Sequence, residues 1–259
     1  MIPPADDRPA APRRVETTHL LNDVRPEIAA NLAVDEALLD EIEHQGGPPT
    51  LRIWEPTTLG VVLGASSRLQ QEVHVAACQG DDVPIYRRAS GGGTVVIGPG
   101  ALNLTVVLPM SAAPGFGAVD FAQRFVLERV AEALRDRDHL PVKVQGAGDL
   151  TLDRRKFSGS AQRRLRRHFL VHATILYQFP LPLISRYTTQ PHRQPAYRAG
   201  RSHDDFVRNL PLSRDRLIAA LQAAWLPDDR PVLTASVPEP AVRRLLAAKY
   251  ADPEWVKRF

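Results

Sequence analysis

Three consecutive glycines, Gly91 to Gly93, are the feature of this 259-residue sequence that most restricts its fold. They connect two runs of β-forming residues, Pro84 to Arg88 and Gly93 to Gly98, and they follow the arginine pair Arg87-Arg88. Glycine in a strand costs backbone entropy, so three in succession need a reason. Glycine lets backbone N–H groups approach a ligand, and neighbouring arginines pair with phosphate or carboxylate oxygens. The alternative interpretation is a glycine-rich hairpin turn beside two solvated arginines.

A second stretch of small residues begins with a lysine. Lys156 stands at the head of the run Ser158, Gly159, Ser160 and Ala161, where a ligand can lie against the backbone. A positioned ammonium there stabilises charge on a phosphate or carbonyl oxygen. Upstream, Asp149 can bind Mg²⁺ or orient an incoming amine, although a hairpin with a charged turn explains the same residues. His172 lies in an otherwise apolar strand, where a lone histidine is more often a satisfied core residue.

The remaining pattern predicts strands and helices in irregular order. Helices are predicted from Pro26 to Gly47, over Val119 to about Arg137, after an N-cap at Ser213, and over Glu239 to Tyr250. The segment from Pro180 to Leu212 is predicted to be a loop. Strands are predicted over 51–55, 60–64, 84–88, 93–98, 102–108, 142–145, 156–165 and 169–179. Because the strands and helices do not alternate regularly, the sequence predicts an α+β domain with a mixed β-sheet and packed helices.

The composition excludes several classes of protein. No apolar run approaches the roughly 18 residues that span a bilayer, so no membrane segment is expected. The single cysteine, Cys78, excludes an intrachain disulfide framework and fits a reducing cytoplasm. Lys plus Arg (33) exceeds Asp plus Glu (29) only slightly, and the usual nucleic-acid-binding motifs are absent. Residues 1–16 are rich in proline, so we expect a flexible tail before one domain over residues 17–259.

Taken in order, these stretches resemble the lipoate–protein ligase A family, within the larger group of biotin and lipoate ligases and octanoyltransferases. The family has an Arg-Arg-x-Ser/Thr-Gly-Gly-Gly loop, a Gly-x-x-Asn segment, an Asp-Leu pair, a Lys-x-x-Gly-Ser-Ala strand and a His-Gly-Thr strand. The counterparts in this chain are Arg87 to Gly93, Gly100 to Asn103, Asp149-Leu150, Lys156 to Ala161, and His172 to Thr174. The resemblance covers essentially everything after the tail.

This resemblance implies a fold like that of biotin protein ligase and the class II aminoacyl-tRNA synthetase core, without a C-terminal accessory domain. It implies attachment of lipoate or octanoate, through an acyl-adenylate made from ATP with Mg²⁺, to a lysine of a lipoyl-domain or H-like protein. Lys156 and Asp149 would be catalytic, with Asp149 as the magnesium ligand, and no tightly bound metal or redox cofactor is implied. The residues expected to bind lipoate or ATP are Arg87, Arg88, Ser90, Gly91, Gly92, Gly93, Thr94, Val95, Val96, Asn103, Ser158, Gly159, Ser160, Ala161 and His172.

The chain also departs from the family pattern. Ala173 replaces the usual glycine after the histidine, Gly148 replaces an asparagine, and Ile97 to Gly100 replaces a His-Asp-x-Gly segment. These departures leave open whether adenylation needs a separately encoded accessory subunit or the chemistry differs. The segment from His192 to His203 lies where the ligases have a mobile segment that closes over the adenylate.

Two other activities remain as alternatives. One is an octanoyltransferase that moves an acyl group from acyl carrier protein or another lipoyl protein to the acceptor lysine. Relatives that use a thioester place a cysteine before the Asp-Leu pair, and residues 144–149 contain none. The other is a non-catalytic protein that binds lipoyl domains, which the intact Lys156, Asp149 and Arg/Gly loop disfavour.

Overall fold

The computed structural model describes residue 15 and residues 19–191, 194–226, 228–229 and 231–259. The strands are β1 (His19–Leu21), β2 (Thr50–Trp54), β3 (Gly60–Leu63), β4 (Ile85–Arg87), β5 (Val95–Ile97), β6 (Ala101–Pro109), β7 (Lys143–Gln145), β8 (Asp149–Leu152), β9 (Arg155–Arg164), β10 (His168–Leu176) and β11 (Leu233–Thr234). The helices are α1 (Ile28–Gln45), α2 (Leu69–Glu72), α3 (Val75–Gly80), α4 (Val119–Asp138), α5 (Pro182–Tyr187), α6 (His203–Phe206), α7 (Arg214–Trp225), α8 (Glu239–Leu245) and α9 (Pro253–Lys257).

The strands form two sheets within the described residues. The large sheet has eight strands in the order β11-β1-β2-β6-β10-β9-β8-β7, and the small sheet has three in the order β4-β3-β5. In the large sheet β1 runs parallel to both β11 and β2, and the other pairs are antiparallel. The mixed sheet with packed helices confirms the predicted α+β class.

Each face of the large sheet covers a separate hydrophobic core, because the side chains of its strands alternate. On β6, Leu102, Leu104 and Val106 belong to a core that also contains residues of α4 and α7. Ala101 and Val107, on the opposite face of β6, belong to a second core with α1 and the small sheet. Asn103 and Thr105 share that second face, so polar side chains interrupt the apolar packing beside α1.

The helix boundaries follow the signals in the sequence. Helix α1 begins at Ile28 and is capped by Gly46 in the left-handed conformation, with φ of 71°. The Ser213 side chain accepts a hydrogen bond from the backbone N–H of Arg216, as expected for the N-cap of α7. Residues 180–212, however, contain helices α5 and α6, so the prediction of a loop there was wrong in part. These helices are four to six residues long, too short for a periodic pattern to reveal them.

The predicted tail lies largely outside the described residues. Of residues 1–16 the structure describes Val15, which is buried and packs in the core beneath α4. Among the described residues, no helix combines the length and apolarity that a membrane span requires.

Candidate active site

Two adjoining cavities lie beside the glycine loop. The main cavity has a volume of about 980 Å³, and the inner cavity about 120 Å³. Both are lined by Gly93 to Val95, Lys156, Gly159 to Ala161 and Thr174, so these residues mark the junction between them. The apolar walls of the inner cavity are formed by Leu32, Trp54, Val62, Val95 and Ile97.

The floor of the site is a row of residues that crosses four strands. Asn103 on β6 lies opposite Thr174 on β10, Thr174 lies opposite Gly159 on β9, and Gly159 lies opposite Asp149 on β8. Residues paired in this way project to the same face of a sheet. The Thr174 hydroxyl donates to Asn103 Oδ1 at 2.8 Å. Segments far apart in the sequence therefore reach one surface through strand register.

Lys156 lies at the junction of the two cavities and pairs with Asp149. Its Nζ is 2.6 Å from Asp149 Oδ1, and its side chain is 30% exposed. A Cβ on Gly159 would lie 2.8 Å from Lys156 Nζ, so the ammonium rests in space that only a glycine leaves open. The other oxygen, Asp149 Oδ2, accepts a hydrogen bond of 2.6 Å from the Tyr197 hydroxyl. The predicted catalytic pair is thus in contact, with Tyr197 as a third member.

The glycine loop is held from beneath by Arg88. The Arg88 guanidinium donates to the carbonyl oxygens of Gly91 at 2.6 Å and Gly93 at 2.8 Å. Burial lowers the pKa of Arg88 to about 10, which leaves the group charged at neutral pH. At the end of the loop, the N–H and hydroxyl of Thr94 donate to Glu72 Oε2. Among the described residues, the N–H groups of Gly92 and Gly93 have no acceptor, and both glycines are exposed to the cavity.

Arg87 and Ser90 are the two predicted ligand contacts that line neither cavity. The Arg87 side chain is fully buried and donates to backbone carbonyls of Gly64, Ser67 and Val256. It therefore ties α9 and the segment after β3 to the base of the glycine loop. Ser90 Oγ accepts from Arg88 Nε at 3.0 Å and lies 2.6 Å from His172 Nε2.

His172 lines the inner cavity and belongs to a buried polar network. Its Nδ1 lies 3.7 Å from Asp35 Oδ2, and Asp35 in turn pairs with Arg52 at 2.6 Å. Burial lowers the pKa of His172, which keeps the imidazole neutral at neutral pH. His172 thus matches the interpretation of a satisfied core histidine, with one edge on the cavity.

The other predicted residues line the cavities. Gly91, Gly92, Gly93, Thr94, Val95, Val96, Ser158, Gly159, Ser160 and Ala161 line the main cavity, and Arg88, Asn103 and His172 line the inner one. The pattern of motifs missed Glu72 and Gln123, which also line the main cavity. Thr174 belongs to the His172–Thr174 motif and lines both cavities, but it was not among the expected ligand contacts. Gln123 donates to Ser160 Oγ at 2.7 Å from α4, yet in the sequence it looks like a surface residue of an amphipathic helix. No local signal distinguishes it.

The donor set does not fit a magnesium ion on Asp149. Both of its carboxylate oxygens are already bonded, one to Lys156 and one to Tyr197. Among the described residues, no group of three or more His, Cys, Asp or Glu side chains could hold a metal ion. The role of Asp149 as a magnesium ligand therefore stays a prediction that this geometry does not support.

Cys78 lies away from both cavities. It is 1% exposed on α3 and packs in the core around α1. Burial raises the pKa of its thiol, which disfavours the reactive thiolate.

Curated relatives of this chain carry the names of ligases and acyltransferases. A protein of Aeropyrum pernix that carries the name lipoate-protein ligase A is 30% identical over 75% of this chain and 69% of its own length. A Mycoplasma genitalium protein with the same name is 26% identical, but the match covers only 45% of that protein. Octanoyltransferase LipM of Kyrpidia tusciae is 29% identical over 93% of this chain and 98% of its own length.

Solved structures share the fold. A bi-partite lipoate protein ligase of Thermoplasma acidophilum, studied with its E2 lipoyl domain, has a TM-score of 0.78 at 23% identity, covering 93% of this chain and 96% of its own. A lipoate-protein ligase A bound with ATP has a TM-score of 0.76 at 23% identity, covering 93% and 98%. A Thermoplasma acidophilum protein with bound lipoic acid has a TM-score of 0.75 at 22% identity, covering 94% and 99%.

A family model matches most of the chain and includes the whole site floor. The model of the lipoyl protein ligase A/B catalytic domain covers residues 27–223, which contain the glycine loop, Asp149, Lys156 and His172. This chain belongs to the lipoyl protein ligase A/B catalytic domain family.

Proposed function

We propose that this chain is an ATP-dependent lipoate–protein ligase. It joins lipoate or octanoate, through an acyl-adenylate, to a specific lysine of a lipoyl-domain or H-like protein. The observation that carries the proposal is the place of Lys156, whose side chain lines both the main and the inner cavity. An acyl-adenylate has its acyl carbonyl and its phosphate next to each other, and one ammonium at the junction reaches both.

The two cavities differ in the way that the two halves of such an intermediate require. The inner cavity is narrow and has apolar walls, which suit an aliphatic acyl chain. The main cavity has the size of sites that hold drug-sized ligands, roughly 300–1,000 Å³. Three cationic residues (Arg124, Lys156 and Arg198) and two acidic ones (Glu72 and Asp149) line it, so the small excess of positive charge is compatible with an anionic ligand. Ligand-bound relatives support this division, since one was solved with ATP and another with lipoic acid.

The residues of the site suit both steps of the reaction. In the first, a carboxylate oxygen of lipoate attacks the α-phosphorus of ATP, and the bond to pyrophosphate breaks. In the second, the acceptor lysine amine attacks the acyl carbonyl, the C–O bond to AMP breaks, and the amine loses a proton. Negative charge grows on oxygens at the junction in both steps, where the Lys156 ammonium would stabilise it. The free N–H groups of Gly92 and Gly93 would donate to the adenylate oxygens.

An octanoyltransferase is the second candidate, because the similarity to a LipM protein extends over 93% of this chain. A thioester route would need a thiol at the junction of the cavities. The sequence contains one cysteine, and Cys78 is buried in the core around α1. A transferase without a thiol would have to use Lys156 alone, so the ligase is the better supported of the two.

The deciding experiment is ATP–pyrophosphate exchange with lipoate, octanoate or biotin. We expect exchange with lipoate or octanoate and none with biotin. The second step is measured separately by mass spectrometry of a lipoyl domain incubated with preformed lipoyl-AMP. Transfer from lipoyl-AMP without exchange would place adenylation with an accessory subunit, as in a bi-partite ligase. Octanoyl transfer from acyl carrier protein, with neither of the two ligase reactions, would reject the proposal.

A further inference from the structure

Tyr197 makes the contact that completes the Lys156–Asp149 pair. Asp149 has two carboxylate oxygens, and Lys156 Nζ lies 2.6 Å from Oδ1. The Tyr197 hydroxyl donates to Oδ2, also at 2.6 Å. With one oxygen held by Tyr197, the carboxylate has a fixed orientation and presents the other oxygen to Lys156.

The segment that carries Tyr197 is held in place by contacts that do not involve the Tyr197 hydroxyl. The Tyr197 ring packs against Phe206, with ring centroids 5.3 Å apart. The guanidinium groups of Arg198 and Arg201 also lie over the Phe206 ring, at 4.7 and 5.1 Å. Arg201 donates to the Tyr197 carbonyl at 2.8 Å and to the Arg154 carbonyl at 3.0 Å. These contacts fix the backbone at Tyr197 independently of its hydroxyl.

The hydroxyl acts as a donor at neutral pH. Burial raises the pKa of Tyr197, and the nearby Asp149 carboxylate raises it further. A tyrosine that stays protonated keeps its hydrogen and donates it to Asp149 Oδ2. The other carboxylate oxygen, Oδ1, then faces the Lys156 ammonium as its ion-pair partner.

We propose that Tyr197 is a positioning residue for the ligation reaction, which acts through Asp149 to hold Lys156 at the junction of the two cavities. The effect on catalysis rests on the proposed function, whereas the contact between Tyr197 and Asp149 is independent of it. It also assigns Asp149 a role that differs from magnesium binding. Asp149 and Tyr197 together orient the ammonium, and the segment from 194 to 206 supplies the fixed point.

The test compares Tyr197→Phe with a matched control. Tyr177→Phe removes a similar bond, because the Tyr177 hydroxyl donates to Glu55 Oε1 at 2.8 Å and Tyr177 lines neither cavity. We expect Tyr197→Phe to lower kcat for lipoyl-AMP formation roughly tenfold or more, the range for a hydrogen bond to a charged group. The KM values for lipoate and ATP should stay within about twofold, and Tyr177→Phe should leave kcat unchanged.

A second measurement does not depend on activity. Acetic anhydride labelling, read by mass spectrometry, should modify Lys156 several-fold faster in Tyr197→Phe, because a carboxylate that rotates holds the ammonium for less of the time. Lys249, which pairs with Glu36 at 2.7 Å, is the internal control and should be labelled at its wild-type rate. Unchanged labelling of Lys156 would overturn the proposal, as would faster labelling of every lysine, which reports general loosening. If the wild-type protein has no ligase activity, faster labelling of Lys156 alone in Tyr197→Phe would still support the contact, and the proposed function would be rejected.

Discussion

The glycine loop provides a test in which two neighbouring glycines should respond differently to the same added methyl group. A Cβ on Gly93 would have no heavy atom within 4 Å, and its φ lies outside the left-handed region. Gly92, in contrast, has φ of +84°, and a Cβ there would lie 3.0 Å from Arg88 Nη2. Gly93→Ala should therefore weaken ligand binding, and Gly92→Ala should lower the stability of the folded protein.

The magnitudes follow from these surroundings. At Gly93, alanine restricts the unfolded chain, which stabilises the protein by about 0.4–1 kcal/mol where the backbone is compatible. The added methyl group crowds a free N–H at the junction of the cavities. Loss of one hydrogen bond to a charged ligand group costs about 1.5–3 kcal/mol, or roughly 10- to 150-fold in affinity. At Gly92, the left-handed backbone alone makes alanine unfavourable by about 1–2 kcal/mol.

Calorimetric titration with a non-hydrolysable lipoyl-AMP analogue and thermal unfolding separate the two effects. Gly80→Ala is the control, since a Cβ there also has no heavy atom within 4 Å and Gly80 lines neither cavity. We expect Gly93→Ala to bind the analogue at least tenfold more weakly without a lower melting temperature. Gly80→Ala should bind it normally. Wild-type affinity in Gly93→Ala would refute a loop that contacts the adenylate and leave the loop a structural turn.

Lys156, Cys78 and Asp35 differ in their distance from the cavities, and their substitution should have different effects. Lys156→Ala should lower the rates of adenylate formation and acyl transfer by roughly 10²–10³, with a melting temperature near that of the wild type; near-normal modification of a lipoyl domain would contradict this. Cys78→Ser should keep its acyl-transfer rate, because Cys78 lines neither cavity, and a folded but inactive variant would instead indicate a thioester route. Burial alone would raise the pKa of Asp35, but Arg52 and His172 outweigh it and hold the pKa below its usual value. The stabilisation is therefore present above the pKa of an unfolded aspartate and is lost as pH falls through the lowered value. Urea unfolding between pH 7 and pH 3 should accordingly show a flatter acid limb in Asp35→Asn than in the wild type, and parallel losses in the two proteins would be inconsistent with this pairing.

The sequence predicted those parts of the site that depend on local chemistry. The order of the motifs identified Lys156, Asp149 and the glycine loop, and the structure brings these together. The role of Arg87 could not be read in the same way, because its partner Val256 is 169 residues away. Beside Arg88 and three glycines, a second arginine looks like another ligand contact. Whether a guanidinium meets a ligand or backbone carbonyls depends on how the chain end packs, and no nearby residue encodes that.

The orientation of Lys156 is the clearest case in which periodicity is not sufficient. Gly159 and Ala161 lie on the cavity face of β9, so strict alternation would put residue 157 on that face and Lys156 in the core. A lone ammonium in a hydrophobic core is very unfavourable, and Phe157 on an open cavity would lose its burial. The structure resolves the conflict with a register shift against β8, where Leu150 pairs with Ser158 but Thr151 pairs with Lys156. Phe157 is the extra residue of this bulge, and it is fully buried in the core beneath α4. The burial of Phe157 and the exposure of the Lys156 ammonium therefore require an irregularity in the strand between Lys156 and Gly159. The bulge turns the Lys156 side chain toward the cavity, and bulges often have this role next to active sites.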